Sequence, residues 1–119
     1  MNADHVHDCF NKSQSSIIEK LLSIDPEVTP SVDSWTRPEG GGGKSCAYAN
    51  GTFLEKGGIN FSDIAGSSLP PTALSNRSGL SGSSYRAMGV SIVFHPINPH
   101  VPTAHANIRF FSTKKNNGE

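Results

Sequence analysis

Cysteine is scarce in this chain of 119 residues: only Cys9 and Cys46 occur, with no CxxC spacing. That excludes a disulfide framework and a cysteine-built zinc site, and makes a reduced cytoplasm the simplest expectation. Net charge is missing as well, since ten Lys and Arg balance ten Asp and Glu. A nucleic-acid or anionic-membrane surface is not expected, and an anionic ligand would have to be held by local cations. No apolar run approaches the roughly 18 residues that span a bilayer. The opening MNADHVHDCF has neither a basic start nor an apolar signal core, and its Asp4 and Asp8 and its lack of arginine are unlike a mitochondrial presequence. Apolar residues make up 34% of the chain, and the twelve glycines bring the figure near that of ordinary globular domains. One domain over 1–119 is expected, with 1–9 and 112–119 as flexible ends.

The first element reads as a helix with an apolar stripe of Phe10, Ile17, Leu21 and Ile24, flanked by Ile18 and Leu22. Ser16 and Glu19 have the spacing of a capping box, an earlier start being open, and Asp25-Pro26 ends the helix. Glu27 to Arg37 reads as an extended, proline-broken entry, and Gly40 to Gly43 as a loop. Lys44 to Ala49 and Thr52 to Lys56 read as a hairpin around Asn50-Gly51, which suits a type I′ turn. Asn60 to Ile64 is a possible further strand. Pro70 to Ser84 reads as a long Ser/Pro/Gly loop with at most one helical turn.

Two β-branched and aromatic runs follow, Gly89 to His95 and Ala104 to Phe111, joined by a loop carrying Pro96, Pro99 and Pro102. The expected antiparallel register sets His95 opposite His105, Val93 opposite Asn107 and Ser91 opposite Arg109. Alternation then places Ser91, Val93, His95, His105, Asn107 and Arg109 on one face. Val90, Ile92, Phe94, Ala106, Ile108 and Phe110 form the other, expected to be core. A slip of one residue would bury Arg109, which the apolar set argues against. At a separation of about 5 Å, facing imidazoles could share a metal ion, a carboxylate or a proton. The plainer alternative is two histidines holding the proline loop by hydrogen bonds, with Ser91 a small residue that lets strands pack.

Other motifs have weaker readings. Gly43-Lys44-Ser45 resembles the end of a phosphate loop, but the spacing requires glycine at position 38, which is Pro38. The glycines either admit a flat ligand to the backbone or form a loop and no more. Arg37 and Glu39 suit an ion pair across that loop, and Trp35 suits a packing anchor. His5, His7 and Cys9 have metal-like density on a terminus that carries such residues freely. The four Asn-x-Ser/Thr patterns at Asn11, Asn50, Asn60 and Asn76 count as chance matches without a signal peptide.

The chain resembles the oxygen-dependent coproporphyrinogen III oxidases. The resemblance rests on WTRPEGGGGKS at Trp35 to Ser45, FLEKGGINFSDIAG at Phe53 to Gly66, LPPTA at Leu69 to Ala73, and YRAMGVSIVFHPINPHVPTAHANIRFF at Tyr85 to Phe111, in family order. It runs from about Asp25 to Phe111 and covers only the N-terminal part of a family whose members are well over twice as long. A fragment or truncated member is therefore expected. The resemblance implies oxidative decarboxylation of two propionates of coproporphyrinogen III to vinyl groups, giving protoporphyrinogen IX in haem biosynthesis. Molecular oxygen is the electron acceptor and no organic cofactor is implied.

Carried over by motif, Ser91, Asn107, Ile108 and Arg109 contact substrate, Ile108 through its backbone. His105 is the proton donor, and His95 and His105 are ligands of a divalent metal in members described as metal-dependent. A homodimer is implied for the full-length family. Two positions depart from it: Asp63-Ile64-Ala65-Gly66 stands where a histidine usually precedes the glycine, and His100 replaces a usual tyrosine. The fold class expected is α+β, an antiparallel sheet flanked by helices and incomplete relative to the family, with an exposed edge after Phe111. Beside an active oxidase, the alternatives are an inactive relative that retains tetrapyrrole binding or dimerisation only, and a remnant that does not fold stably.

Overall fold

The helix α1 (Ala3–Ile24) begins where Asn2, in extended backbone, accepts a hydrogen bond from the Asp4 N–H on its side-chain oxygen at 2.8 Å. One of the free donors of the first turn is thereby satisfied. Ser16 and Glu19 thus lie inside the helix, and the start falls well before the expected capping box. Residues 3–9, expected to be loose, are its first turns, with Val6 only 6% exposed. The computed structural model describes residues 2–67 and 84–114; the loop expected from Pro70 to Ser84, up to its last residue, and residues 115–119 lie outside them.

The inner face of α1 consists of Val6, Gln14 and Leu21, with Ile17 and Ile18 partly buried. Gln14 is the residue that hydrophobic periodicity overlooks: its amide nitrogen donates to the carbonyls of Lys44 and Ile59, both at 2.9 Å. A polar side chain is tolerated there because its donors are used. Ile24 is not core as expected; it is 62% exposed and borders an open apolar groove with Leu21, Phe53 and Phe94.

Asp25 ends the helix, as its Asp-Pro sequence suggests, and does more besides. Its N–H donates to the Leu21 carbonyl, while its buried carboxylate accepts from the N–H groups of Thr52, Phe53 and Leu54 and from the Thr52 hydroxyl. This carboxylate organises the connection between two strands. Only Asn50 has positive φ (59°) there, so the Asn50-Gly51 turn is not type I′, which needs both central residues positive. The link spans 50–53.

Five strands follow: β1 (Thr29–Thr36), β2 (Gly41–Ala49), β3 (Leu54–Gly66), β4 (Ser84–Pro96) and β5 (Ala104–Lys114). They form one antiparallel sheet in the order β1-β2-β3-β4-β5. β1 occupies the supposed entry segment, and Gly41 to Gly43 are strand where a loop was expected. Gly41 has φ +86° and lies against the Asp63 carbonyl, so close that no side chain fits. Arg37 and Glu39 do form an ion pair in the β1–β2 turn, at 2.7 Å. The Trp35 ring lies against Gly43, as a packing anchor should.

The core lies between α1 and one face of the sheet: Leu21 and Val28 meet Cys46, Tyr48, Leu54 and Ile59, with Ile92 and Phe94 alongside. α1 packs chiefly over β3 and β4. β5 receives no such cover, so Ile108, placed by alternation on the core face, is 60% exposed. Alternation identifies a face and not what lies over it. The sheet is thus flanked by one helix on one face among the described residues, in place of the several helices expected. None of the helices described is long and apolar enough to cross a membrane.

Candidate functional site

The open face of the sheet is built by alternation. In β3, Ile59 and Phe61 turn toward the helix, leaving Asn60 and Ser62 on the other side; in β4, Met88 and Val90 are buried while Gly89 and Ser91 face out. The β4–β5 register brings Asn107 opposite Ser91 and Arg109 opposite Gly89. These groups line an open cavity of about 290 Å³.

The expected pairing of these two strands is corrected by two residues. Val93, not His95, faces His105, and Ser91 faces Asn107, not Arg109. A shift of two preserves both faces, so the alternation argument could not detect it. The proline-containing connection does not set register either; instead the Ile97 N–H donates to the Phe53 carbonyl, drawing the chain along the end of β3.

Three of the expected ligand residues, Ser91, Asn107 and Arg109, therefore converge on one cavity. Their side chains form no hydrogen bond or ion pair among the described residues, which leaves their donors and acceptors available. Ile108 directs its side chain to the other face, while its carbonyl oxygen lies 3.3 Å from where a Gly89 side chain would begin. Both side chains flanking Ile108 lean over that glycine: Arg109 Cγ would lie 3.7 Å from such a Cβ and Asn107 Oδ1 3.9 Å. Sequence reasoning missed Asn60, Ser62 and Gly89 as cavity residues. The polar-apolar alternation of Ile59-Asn60-Phe61-Ser62 carried the signal.

His105 is exposed and stands beyond the cavity lining, next on the same face after Asn107. His95 lies diagonally from it on β4, paired with Lys56 of β3, and its Nδ1 is 3.4 Å from the Thr103 hydroxyl. That contact accords with a histidine holding the proline loop. Among the described residues no group of three His, Cys, Asp or Glu side chains is placed to hold a metal ion. Two offset imidazoles do not make up a metal centre by themselves. The terminal trio also separates, with His7 turning to Asp63 while Cys9 and His5 form an exposed contact at 3.7 Å.

On the helix face, Asp63 is the hub of a charged network. Arg86 grips both its oxygens, at 3.0 and 2.7 Å, His7 Nδ1 lies 2.6 Å away, and Asp4 takes the remaining arm of Arg86 at 2.8 Å. Burial acts to raise the Asp63 carboxyl, but the hydrogen bonds from Arg86 and His7 outweigh it and hold the group below the ordinary range. The His7 ring meets Phe61 edge-on with centroids 5.1 Å apart. The network pins the start of α1 to β3 and β4, and does so behind the cavity.

A family model described as coproporphyrinogen III oxidase matches residues 5–119, a longer stretch than the motifs from Asp25 to Phe111. The match takes in α1 from His5 onward and every strand of the sheet, so the chain belongs to the coproporphyrinogen III oxidase family.

Proposed function

We propose that the open sheet face binds coproporphyrinogen III and that the chain takes part in its oxygen-dependent conversion to protoporphyrinogen IX. The observation that carries this reading is the convergence of Ser91, Asn107 and Arg109, unpaired among the described residues, on one open cavity. Arg109 offers a planar fork to a propionate carboxylate. Ser91 and Asn107 supply neutral hydrogen bonds, and the backbone of Ile108 runs between the two β5 side chains. Each reacting propionate becomes a vinyl group by releasing carbon dioxide, a proton and two electrons, and oxygen accepts the electrons. His105, exposed beside the cavity, suits the transfer of a proton to reduced oxygen, because one imidazole nitrogen can donate a proton while the other accepts one. The metal expected at His95 and His105 enters no step, because among the described residues no third His, Cys, Asp or Glu joins them.

Binding without turnover is a second reading, favoured by one observation: no element among the described residues covers the open face, so water reaches His105 freely. Incubation with coproporphyrinogen III under air, followed by oxygen uptake and by protoporphyrin after oxidation of the products, tests both. Turnover lost in His105→Ala supports the first reading. Binding without turnover supports the second, and absence of binding removes both.

A further inference from the structure

Asn60 lines the same cavity from β3, a strand to which the motif resemblance assigned no ligand residue. The registers set Asn60 opposite Ser91 and Ser91 opposite Asn107, so three polar side chains form one row across three strands. Asn60 is exposed, and its side chain has no hydrogen-bond partner among the described residues. Its amide nitrogen would lie 3.7 Å from a Cβ on Gly58, and so leans along the strand over a residue with no side chain to engage it.

Charge gives this amide a purpose. Arg109 is the single cation among the described residues that line the cavity, whereas the substrate in the proposed reading carries four propionates. One guanidinium satisfies one carboxylate well. The others need neutral donors, and an asparagine amide offers two N–H groups. Two strand spacings and two residues along the strand separate Asn60 from Arg109, about 12 Å between Cα atoms. That is too far for both to grip one carboxylate, and is comparable with the width of a tetrapyrrole ring.

We infer that Asn60 is a substrate contact that holds a second carboxylate, across the cavity from the one held by Arg109. The inference rests on the proposed reading of the open face and is tested so that the two fail separately. Coproporphyrin III, a stable fluorescent form of the ligand, is titrated into the wild-type chain, Asn60→Ala, Asn60→Asp, Arg109→Ala and the Asn60→Ala/Arg109→Ala double variant, each with its thermal melt.

Asn60→Ala should bind about fivefold to tenfold more weakly at an unchanged melting temperature. Asn60→Asp should be weaker still and recover partly with salt, because it sets a carboxylate against a carboxylate. The double variant should lose the product of the single losses, since distant contacts act independently. Affinity of Asn60→Ala within twofold of wild type, with Arg109→Ala clearly weakened, overturns the inference and spares the site. Equal losses in Asn60→Ala and Asn60→Asp with lowered melting temperatures would make the residue structural and also overturn it. Unchanged binding in Arg109→Ala as well as Asn60→Ala removes the site itself, and the inference with it.

Discussion

Arg109 stands opposite Gly89 on neighbouring strands, and its Cγ lies 3.7 Å from the point where a side chain on Gly89 would begin. The missing side chain leaves the space over which Arg109 and Asn107 converge. Gly89→Val should fill that floor and lower the affinity for coproporphyrin III at least about tenfold, with a modest drop in melting temperature because the new Cβ would lie 3.3 Å from the Ile108 carbonyl oxygen, which must give way slightly. A fluorescence titration beside a thermal melt checks it. Wild-type affinity in the folded variant would show that the ligand does not lie over Gly89.

Replacing Arg109 with Ala should weaken coproporphyrin III binding by about tenfold to a hundredfold, the range for a lost charged hydrogen-bonding pair. Stability should change by less than about 0.5 kcal/mol, because the side chain is exposed and unpaired among the described residues. Arg109→Lys should recover only part of the loss, a point charge being a poor replacement for a fork. Full recovery by Lys would mean that Arg109 acts through charge alone.

The strands that form the site were legible in the sequence because Ser91, Asn107 and Arg109 alternate with Val90, Ile92 and Ile108, and alternation assigns faces. It is blind to even shifts, which is why the pairing of His95 with His105 was misplaced while every face held. Coverage was equally invisible: nothing local to Ile108 shows that α1 leaves β5 bare. β1 and the glycine start of β2 were missed because Pro30 and Gly41 to Gly43 have poor strand propensity and are recruited by pairing with neighbours. The start of α1 stayed open in the sequence because its inner face includes Gln14 and His7, polar residues whose partners lie on distant strands.

Acid should unfold the chain in a window set by Asp25 and Asp63, the buried carboxylates among the described residues. Burial tends to raise the Asp25 carboxyl, but hydrogen bonds from the Leu54, Thr52 and Phe53 N–H groups and the Thr52 hydroxyl prevail and bring it to about 2, against 3.8 ordinarily. Asp63 is lowered too. A carboxyl depressed in the folded state contributes its stability above its unfolded pKa and loses it as pH falls through the folded one. The melting temperature should therefore hold steady above about pH 5 and drop between about pH 4 and pH 2. Asp25→Asn should start lower at neutral pH, by on the order of 10 °C, and show a shallower acid slope. An identical slope in that variant would place the acid sensitivity elsewhere.

Asp63→Asn should cost about 1–2 kcal/mol, discounted for the partial exposure of Arg86, because it weakens the grip of Arg86 and His7 on β3. Since the network lies on the helix face, tetrapyrrole affinity of the folded variant should be unchanged. Urea unfolding and ligand titration on the same sample separate the two effects. A variant of full stability would show that the charged network does not anchor the start of α1.

Titrating coproporphyrin III into isotope-labelled protein, with amide and side-chain resonances followed, distinguishes binding on the sheet face turned away from α1 from binding on the helix face. Saturable shifts are expected at Asn60, Gly89, Ser91, Asn107 and Arg109, with Gln14, Leu21 and Ile59 unmoved. Shifts centred on the apolar groove at Ile24, Phe53 and Phe94, with those five residues silent, would contradict binding on the open face.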